Sequence, residues 1–361
     1  MDNRVMIAMS GGVDSSVAAL LLKQQGYDCM GITMKLFDNR DIGVDCSRAC
    51  CSLEDVEDAR SVAYRLEIPH YVFNFAAKFK DEVIENFIRA YESGLTPNPC
   101  IDCNRYIKFE KLYLRARELD CRYIATGHYA KIERDTSNRP LLLKKAADSR
   151  KDQSYVLYTL TQEQLANTLF PLGDLTKSRV REIAEENGLA NAKKLESQDI
   201  CFVRGKSYAD FIKEYTGKAY PHGDFIDSSG KVLGRHRGII HYTIGQRKRL
   251  GISSDKPLYV CRISARQNTV TLGGEAELYL SSLTVKRINL IAVDSIERPM
   301  RVKVKTRYRQ PEQWAVVSQL DEDTLFIKFD TPQRAITAGQ AAVLYDGDIV
   351  IGGGTITGED K

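Results

Sequence analysis

Two kinds of string in this chain have residue types and spacing that could do chemistry: one glycine loop and two cysteine-bearing turns. The loop is Ser10-Gly11-Gly12-Val13-Asp14-Ser15-Ser16, set between a short apolar run and a stretch of helical spacing. Backbone N–H groups in such a turn, with the positive end of a helix behind them, form an anion site. Gly11 and Gly12 let a phosphate approach with no Cβ in the way. Ser10, Ser15 and Ser16 add hydroxyl donors, and Asp14 has the carboxylate to hold Mg2+. No Lys follows the glycines, which separates the loop from the kinase-type phosphate loop. The cysteine strings are Asn98-Pro99-Cys100-Ile101-Asp102-Cys103-Asn104 and Ser197-Gln198-Asp199-Ile200-Cys201-Phe202. There are nine cysteines in all, an odd number that argues against a simple disulfide framework. Clustered cysteines in a chain without an export signal more often bind metal or react.

The loop resembles the S-G-G-x-D-S loop of the ATP pyrophosphatases, which cleave ATP between the α- and β-phosphates and adenylate a substrate. Among their substrates the cysteines favour one that takes up sulfur. Replacing a carbonyl oxygen by sulfur needs that oxygen made into a good leaving group, which adenylation does. The sulfur must then arrive as a strong nucleophile, such as a cysteine persulfide, and a second cysteine must cleave the S–S bond. At this level the chain resembles the bacterial tRNA 2-thiouridylases, over essentially its whole length. The likeness rests on the glycine loop, Asn98–Asn104, Gly127-His128-Tyr129, Lys151-Asp152-Gln153, Ser197–Phe202 and a basic β-rich end. It implies thiolation of the wobble uridine in the tRNA anticodon loop, with Cys103 as nucleophile and Cys201 as persulfide carrier. It also implies ATP, as its Mg2+ complex, bound by Ala8, Met9, Ser10, Gly11, Gly12, Val13, Asp14, Ser15, Met34 and Gly127. Contacts to tRNA or its target base are implied for Asn98, Pro99, Cys100, His128, Lys151, Asp152, Gln153, Arg307, Tyr308 and Gln340. The implied partners are tRNA and a sulfur-relay protein or cysteine desulfurase that donates persulfide sulfur.

One departure matters. Many relatives have Asp where this chain has Cys100, and a thiol of pKa about 8.5 can replace that carboxyl in proton transfer only if it is perturbed. Cys100 and Cys103 form a C-x-x-C, and with Cys201 they offer three ligands to a 4Fe–4S cluster, an alternative route for the sulfur. Cys46, Cys50 and Cys51 lie outside the resemblance. They are read as ordinary thiols first, and as zinc ligands or a sulfur relay second.

These residues need elements to position them. Arg4–Met9 reads as a strand, Val13–Gln25 as a helix and Tyr27–Met34 as a second strand. Ser52 with Asp55 makes a capping box before the stripe Val56, Ala59, Val62, Ala63 and Leu66. A strand at His70–Phe75, a helix at Phe79–Tyr91, a turn-rich Thr96–Cys100, a helix at Lys108–Leu119 and a strand at Tyr123–Gly127 follow. Such alternation predicts a doubly wound parallel α/β sheet. After about Gly205 the pattern changes to short alternating stretches, at Lys231–Leu233, Tyr259–Ile263, Thr269–Leu272, Arg301–Arg309, Trp314–Ser318, Thr324–Phe329 and Ala341–Tyr345. They predict a small β-barrel or sandwich. The expected division is 1–205 for the nucleotide domain, 206–275 for a small central tRNA-binding domain and 276–361 for a C-terminal β-barrel.

The 361 residues carry 52 basic and 48 acidic side chains. From Lys231 to Arg309 there are 17 basic and 5 acidic residues, a net charge of +12 in one contiguous stretch. That asymmetry points to a polyanion. Arg301, Lys303, Lys305, Arg307 and Arg309 fall on alternate positions, which would put all five on one strand face. Arg235, His236, Arg237, His241, Arg247, Lys248 and Arg249 form a second cluster. Contacts of this kind fix position without reading sequence. Tyr106, Tyr129 and Tyr155 are read as core first and as base-stacking platforms second. The opening run Val5–Met9 is too short for a membrane span and follows Asp2, so a cytoplasmic protein is expected. Two other readings remain from sequence alone: an adenylating amidotransferase or ligase acting on a small carboxylate, and a tRNA-binding protein with a relic loop.

Overall fold

The apolar run that opens the chain owes its place to burial on both faces, as parallel sheets covered by helices require. In the computed structural model, which describes residues 3–37, 53–134, 140–194, 200–203 and 205–358, it is strand β1 (Arg4–Ala8), buried from Val5 onward. Helix α1 (Val13–Gln24) follows the glycine turn. Strand β2 (Asp28–Lys35), helix α2 (Leu53–Arg65), strand β3 (His70–Asn74) and strand β4 (Tyr123–Ala125) come next. With Thr168–Leu169 they form a five-stranded sheet in the order β3-β2-β1-β4-(168–169), parallel throughout. The chain winds outward from β1 to β3 and then returns to the other side of β1. The direction therefore reverses between β1 and β4, and a crevice opens at the carboxyl ends of those two strands, where doubly wound sheets bind ligands.

The helix carrying Cys100 and Cys103 departs from expectation. The helix starts at the end of the turn-rich segment, well before Lys108: Pro99–Asp102 is a short α-helix, Cys103–Lys111 continues it in π-helical form and Leu112–Glu118 completes it. Asn98 caps its start, accepting a hydrogen bond from the Cys100 N–H, and Pro99 takes the first helical position. Cys100 and Cys103 are therefore one turn apart on a helix, not on a loop. π-Helical turns often mark functional sites, and this one begins at Cys103.

A four-stranded sheet of Gly223–Ile226, Val232–His236, Tyr259–Ser264 and Thr269–Gly273 forms the middle of the molecule. Beyond it, six strands from Tyr279–Leu290 to Ile349–Ile356 close into a barrel, the first pairing with the last. Its alternation is the expected one, with Val302, Val304, Ala315, Val317, Leu325 and Ile327 inside. A hairpin of Lys131–Glu133 and Leu142–Lys144 was not anticipated. It leaves the nucleotide domain and pairs with Ile349 at the barrel's last strand. Among the described residues no helix is long and apolar enough to cross a membrane. Cys46, Cys50, Cys51, Ser52 and Ser197–Asp199 lie outside the described residues.

Candidate active site

The glycine loop turns at the switch between β1 and β4. Gly11 has φ +74°, and a Cβ there would lie 2.4 Å from the Asp55 carbonyl oxygen of α2, so only glycine fits. Gly12 occupies the cap position of α1 and supplies no capping side chain. The N–H groups of the first turn are thus left to an incoming anion. Within the loop, the Ser10 N–H donates to Ser15 Oγ at 3.1 Å, and Ser15 and Ser16 donate to the Gly12 carbonyl. Gly127, just past β4, sits directly on this turn: a Cβ would lie 2.8 Å from Asp14 C and Ser15 N. Ala8, Met9 and Val13 are buried around it, Met9 through its N–H to Ile32 O and its carbonyl from Thr33 Oγ1. Met34 lies near the carboxyl end of β2.

Two residues that sequence reasoning missed complete the loop. Lys177 Nζ meets Asp14 Oδ1 at 2.6 Å, and the Tyr129 hydroxyl donates to the same oxygen at 2.7 Å. The cation absent from the loop's own sequence therefore arrives from the start of the helix Lys177–Glu186, whose first N–H is held by Asp148 Oδ2. A Lys at that end of a helix opposes the helix dipole, and this was the only signal in the sequence. Asn191 donates to the Gly11 carbonyl at 2.9 Å and to Ser16 Oγ at 2.8 Å, fixing the turn from behind. Because Oδ1 of Asp14 is committed to Lys177 and Tyr129, Asp14 fits the holding of Lys177 over the loop better than the holding of a cation.

Cys103 and Cys201 pack against one apolar cluster, which also takes in Phe79, Phe87, Ile107, Phe202, Phe211 and Met34. Phe202 is the hinge of that packing, with edge-to-face contacts to Phe79 at 5.8 Å and Phe87 at 5.3 Å. Met34, near the carboxyl end of β2, thus shares a cluster with both cysteines. Cys100 reaches solvent, but protein mass around it pushes its thiol pKa up, opposed by Lys108. That direction disfavours both the thiolate and proton transfer near neutrality. Among the described residues no three His, Cys, Asp or Glu side chains converge as a metal site. Cys100, Cys103 and Cys201 do not fit a cluster in this arrangement.

Asp102 ends the first helical turn beside Cys103. Burial raises its carboxyl to about 6, against the lowering pull of Arg287 and Arg105. The folded state therefore holds this proton more tightly than the unfolded chain. Its stability falls as pH rises from about 4 through about 6, by up to about 3 kcal/mol, and the loss persists above that window. Asp102→Asn is expected to remove the slope. Urea unfolding should find it more stable than the parent at pH about 7.5 and equal to it near pH 4.

The residues expected at tRNA fall into two groups. His128 is buried, hydrogen-bonded to Thr126 Oγ1 at 2.7 Å and set between Phe109 and Phe170; desolvation lowers its pKa well below 6.5, so it stays neutral. Asp152 accepts from Ala146 N–H and from Ser154, and Gln153 exchanges hydrogen bonds with Tyr129, while Lys151 is half-buried beside them. Tyr155 and Tyr129 are core with their hydroxyls satisfied; Tyr106 is half-buried at the cysteine cluster. Gln340 donates to Thr96 O at 2.8 Å, anchoring the barrel to the segment before Asn98 and Pro99.

The basic stripe is shorter than expected. The strand is Met300–Lys305, and a turn follows, so Arg307 and Arg309 leave its face. Arg301 pairs with Asp330 and lies with Lys303 over Trp314. Arg307 turns inward, donating to Ile244 O, Ala335 O and Thr337 Oγ1, and the Tyr308 ring lies tilted against Tyr155, centroids 5.9 Å apart. Arg307 thus ties the middle sheet's loop to the barrel. Arg307→Ala leaves the Ile244 carbonyl without its donor, while Ala335 O keeps the Thr337 hydroxyl, and should cost about 1–3 kcal/mol in chemical denaturation, with Arg307→Lys recovering little of it.

Comparison with known proteins places these features together. The tRNA methyl transferase HUP domain family matches residues 3–205. The tRNA methyl transferase PRC-barrel domain family matches 209–274, and the aminomethyltransferase beta-barrel domain family matches 280–356. The chain is 53% identical to tRNA-specific 2-thiouridylase MnmA of Clostridioides difficile (strain 630), covering 99% of this chain and 98% of that protein. It is 53% identical to tRNA-specific 2-thiouridylase MnmA 1 of Thermoanaerobacter sp. (strain X514), over 98% of each. With tRNA-specific 2-thiouridylase MnmA of Acetivibrio thermocellus it shares 52%, over 98% of this chain and 99% of the other.

Proposed function

The chain belongs to the tRNA-specific 2-thiouridylase family, and from that premise we infer that it is an ATP-dependent tRNA sulfurtransferase making 2-thiouridine at the wobble position. The domain descriptions speak of methyl transfer and the full-length relatives of thiolation; a glycine loop for ATP and paired cysteines suit the second. The observation that carries the reading is the shared cluster: Met34 at the nucleotide edge packs with Cys103 and Cys201, which lie far apart in sequence.

ATP, entering as its Mg2+ complex, binds with its phosphates on the Ser10–Ser15 turn and the N-terminus of α1. Gly127 keeps that turn closed on β4, and Met34 borders the adenine side. Uridine O2 attacks the α-phosphorus and diphosphate leaves. Lys177, held by Asp14 and Tyr129, supplies positive charge where the phosphates gain negative charge. The terminal sulfur of a Cys201 persulfide then attacks C2, and AMP departs with the former carbonyl oxygen. The Cys103 thiolate attacks Sγ of Cys201 and the S–S bond breaks, leaving sulfur on C2 as the thiocarbonyl. The resulting Cys103–Cys201 disulfide takes two electrons from an external thiol before the next turnover.

The sulfur reaches Cys201 from a cysteine desulfurase or a sulfur-relay protein that donates persulfide. The target base leaves its stack cheaply, because anticodon-loop bases are already unpaired. Asn98, Pro99 and Cys100 open the cysteine helix towards it. The buried His128 and Asp152, with the half-buried Gln153, shape the pocket wall from behind, and Arg307, Tyr308 and Gln340 hold the barrel against that wall. tRNA carrying oxygen-18 at uridine O2 tests the adenylation step. The label should appear in AMP, in proportion to thiouridine formed; unlabelled AMP alongside thiolated tRNA would exclude it.

A further inference from the structure

The segment between Gly245 and Val260 is a closed loop with a basic hollow. Its base is shut by the Gly245 N–H on Val260 O at 2.8 Å and the Val260 N–H on Gln246 O at 2.9 Å. From 247 to 258 there is no helix or strand, yet the loop is held in shape from both sides. On the barrel side, Arg307 bonds the Ile244 carbonyl, and a Cβ on Gly245 would lie 2.9 Å from Ala335 Cβ. On the inner side, Leu250, Ile252 and Leu258 pack into the same apolar cluster as Cys103 and Cys201. Compact loops with closed ends and their own packing are frequently functional.

What the loop encloses is an open cavity of about 390 Å3, walled by Arg247, Arg249, Ser254 and Lys256 with one opposing carboxylate, Asp255. The three cationic side chains and the neighbouring Lys248 are exposed. None of the four is in an ion pair among the described residues. Arg249 holds a left-handed φ of +64°, a conformation that a non-glycine residue adopts at a cost. The walls contain no aromatic residue, whereas protein–protein hot spots are rich in aromatic anchors. Paired guanidinium groups with a serine hydroxyl suit phosphate oxygens.

We propose that the 247–258 loop is a phosphate clamp for the tRNA backbone, which delivers the RNA to the face of the molecule that carries the two cysteines. This rests on the reading of tRNA as substrate. The clamp reads no sequence; it sets where the strand lies relative to Cys103 and Cys201.

The test compares the full-length protein with Arg247→Ala/Arg249→Gly/Lys256→Ala, in which glycine also relieves the left-handed backbone. The dissociation constant for tRNA is measured against salt concentration, beside ATP affinity and melting temperature. The variant should bind tRNA at least about tenfold more weakly near 0.1 M salt, and its log–log salt slope should fall by about two. ATP affinity should stay as in the parent and melting should not fall, and Asp255→Asn should bind tRNA more tightly. An unchanged tRNA affinity and slope would overturn the clamp. So would loss of sulfur transfer from a persulfide donor protein alone, with sulfide-driven thiolation and tRNA binding intact, since the loop would then dock an acidic protein. Loss of inorganic phosphate binding without loss of tRNA binding would overturn it as well. A parent protein that binds tRNA with the expected slope but forms no thiouridine would instead fail the functional reading and leave the clamp standing.

Discussion

Cys201→Ala is expected to lower multiple-turnover 2-thiouridine formation from a persulfide donor by at least about 10³-fold, and Cys103→Ala by a comparable factor. The two losses should look different in single turnover. Without Cys201 there is no persulfide, so adenylation proceeds and AMP leaves by hydrolysis or not at all. Without Cys103, C2 of the uridine is still attacked, but the S–S bond joining it to Cys201 is not cleaved. A protein–tRNA adduct should therefore build up that survives denaturant and is released by a thiol reductant. Gel electrophoresis of labelled tRNA distinguishes the cases. Full multiple-turnover activity in Cys201→Ala with the protein donor would end the persulfide assignment, and an adduct in Cys201→Ala would reverse the two roles. Both cysteines pack on the cluster centred on Phe202, so alanine at either removes reactive sulfur while leaving most of the apolar contact.

The second large effect is expected at Lys177. Lys177→Met keeps the stem of the side chain and removes the charge over the loop. It should slow tRNA-dependent diphosphate release by about 10²–10³-fold, the usual cost of losing one group that stabilises developing charge. Asp14→Asn removes the charge that holds Lys177 at 2.6 Å and should lose a smaller factor, because the lysine keeps its charge but not its aim. If Lys177→Met changed only ATP affinity, leaving the rate at saturating ATP untouched, its charge would serve ground-state binding alone.

How far these sites could be read in advance depended on whether each signal was local. The glycine loop was legible because turn, helix start and donor hydroxyls all lie within seven residues, and the parallel sheet because β1 is a continuous buried apolar run and strands alternate with helices; the two-residue strand Thr168–Leu169 is too short to give such a signal. The barrel's alternation was legible for the same reason. Lys177 and Asn191 were not, since only the return of the chain across β4 brings them to the loop. The charge stripe misled because its period of two runs on in sequence past Lys305, where the strand ends. A turn takes over there, and Arg307 finds three carbonyl or hydroxyl acceptors inside. At the cysteine helix a signal was present and outweighed. Asn98 followed by Pro99 is a helix start, but two prolines in five residues favoured a loop.

The most direct test of the central claim is mass spectrometry of nucleosides from unmodified tRNA, incubated anaerobically with the protein, ATP and a persulfide donor (a cysteine desulfurase with cysteine). A 2-thiouridine peak is predicted that requires ATP and vanishes in Cys103→Ala. Absence of any thiolated nucleoside from protein that binds both ATP and tRNA and takes up sulfur from the donor would contradict the account.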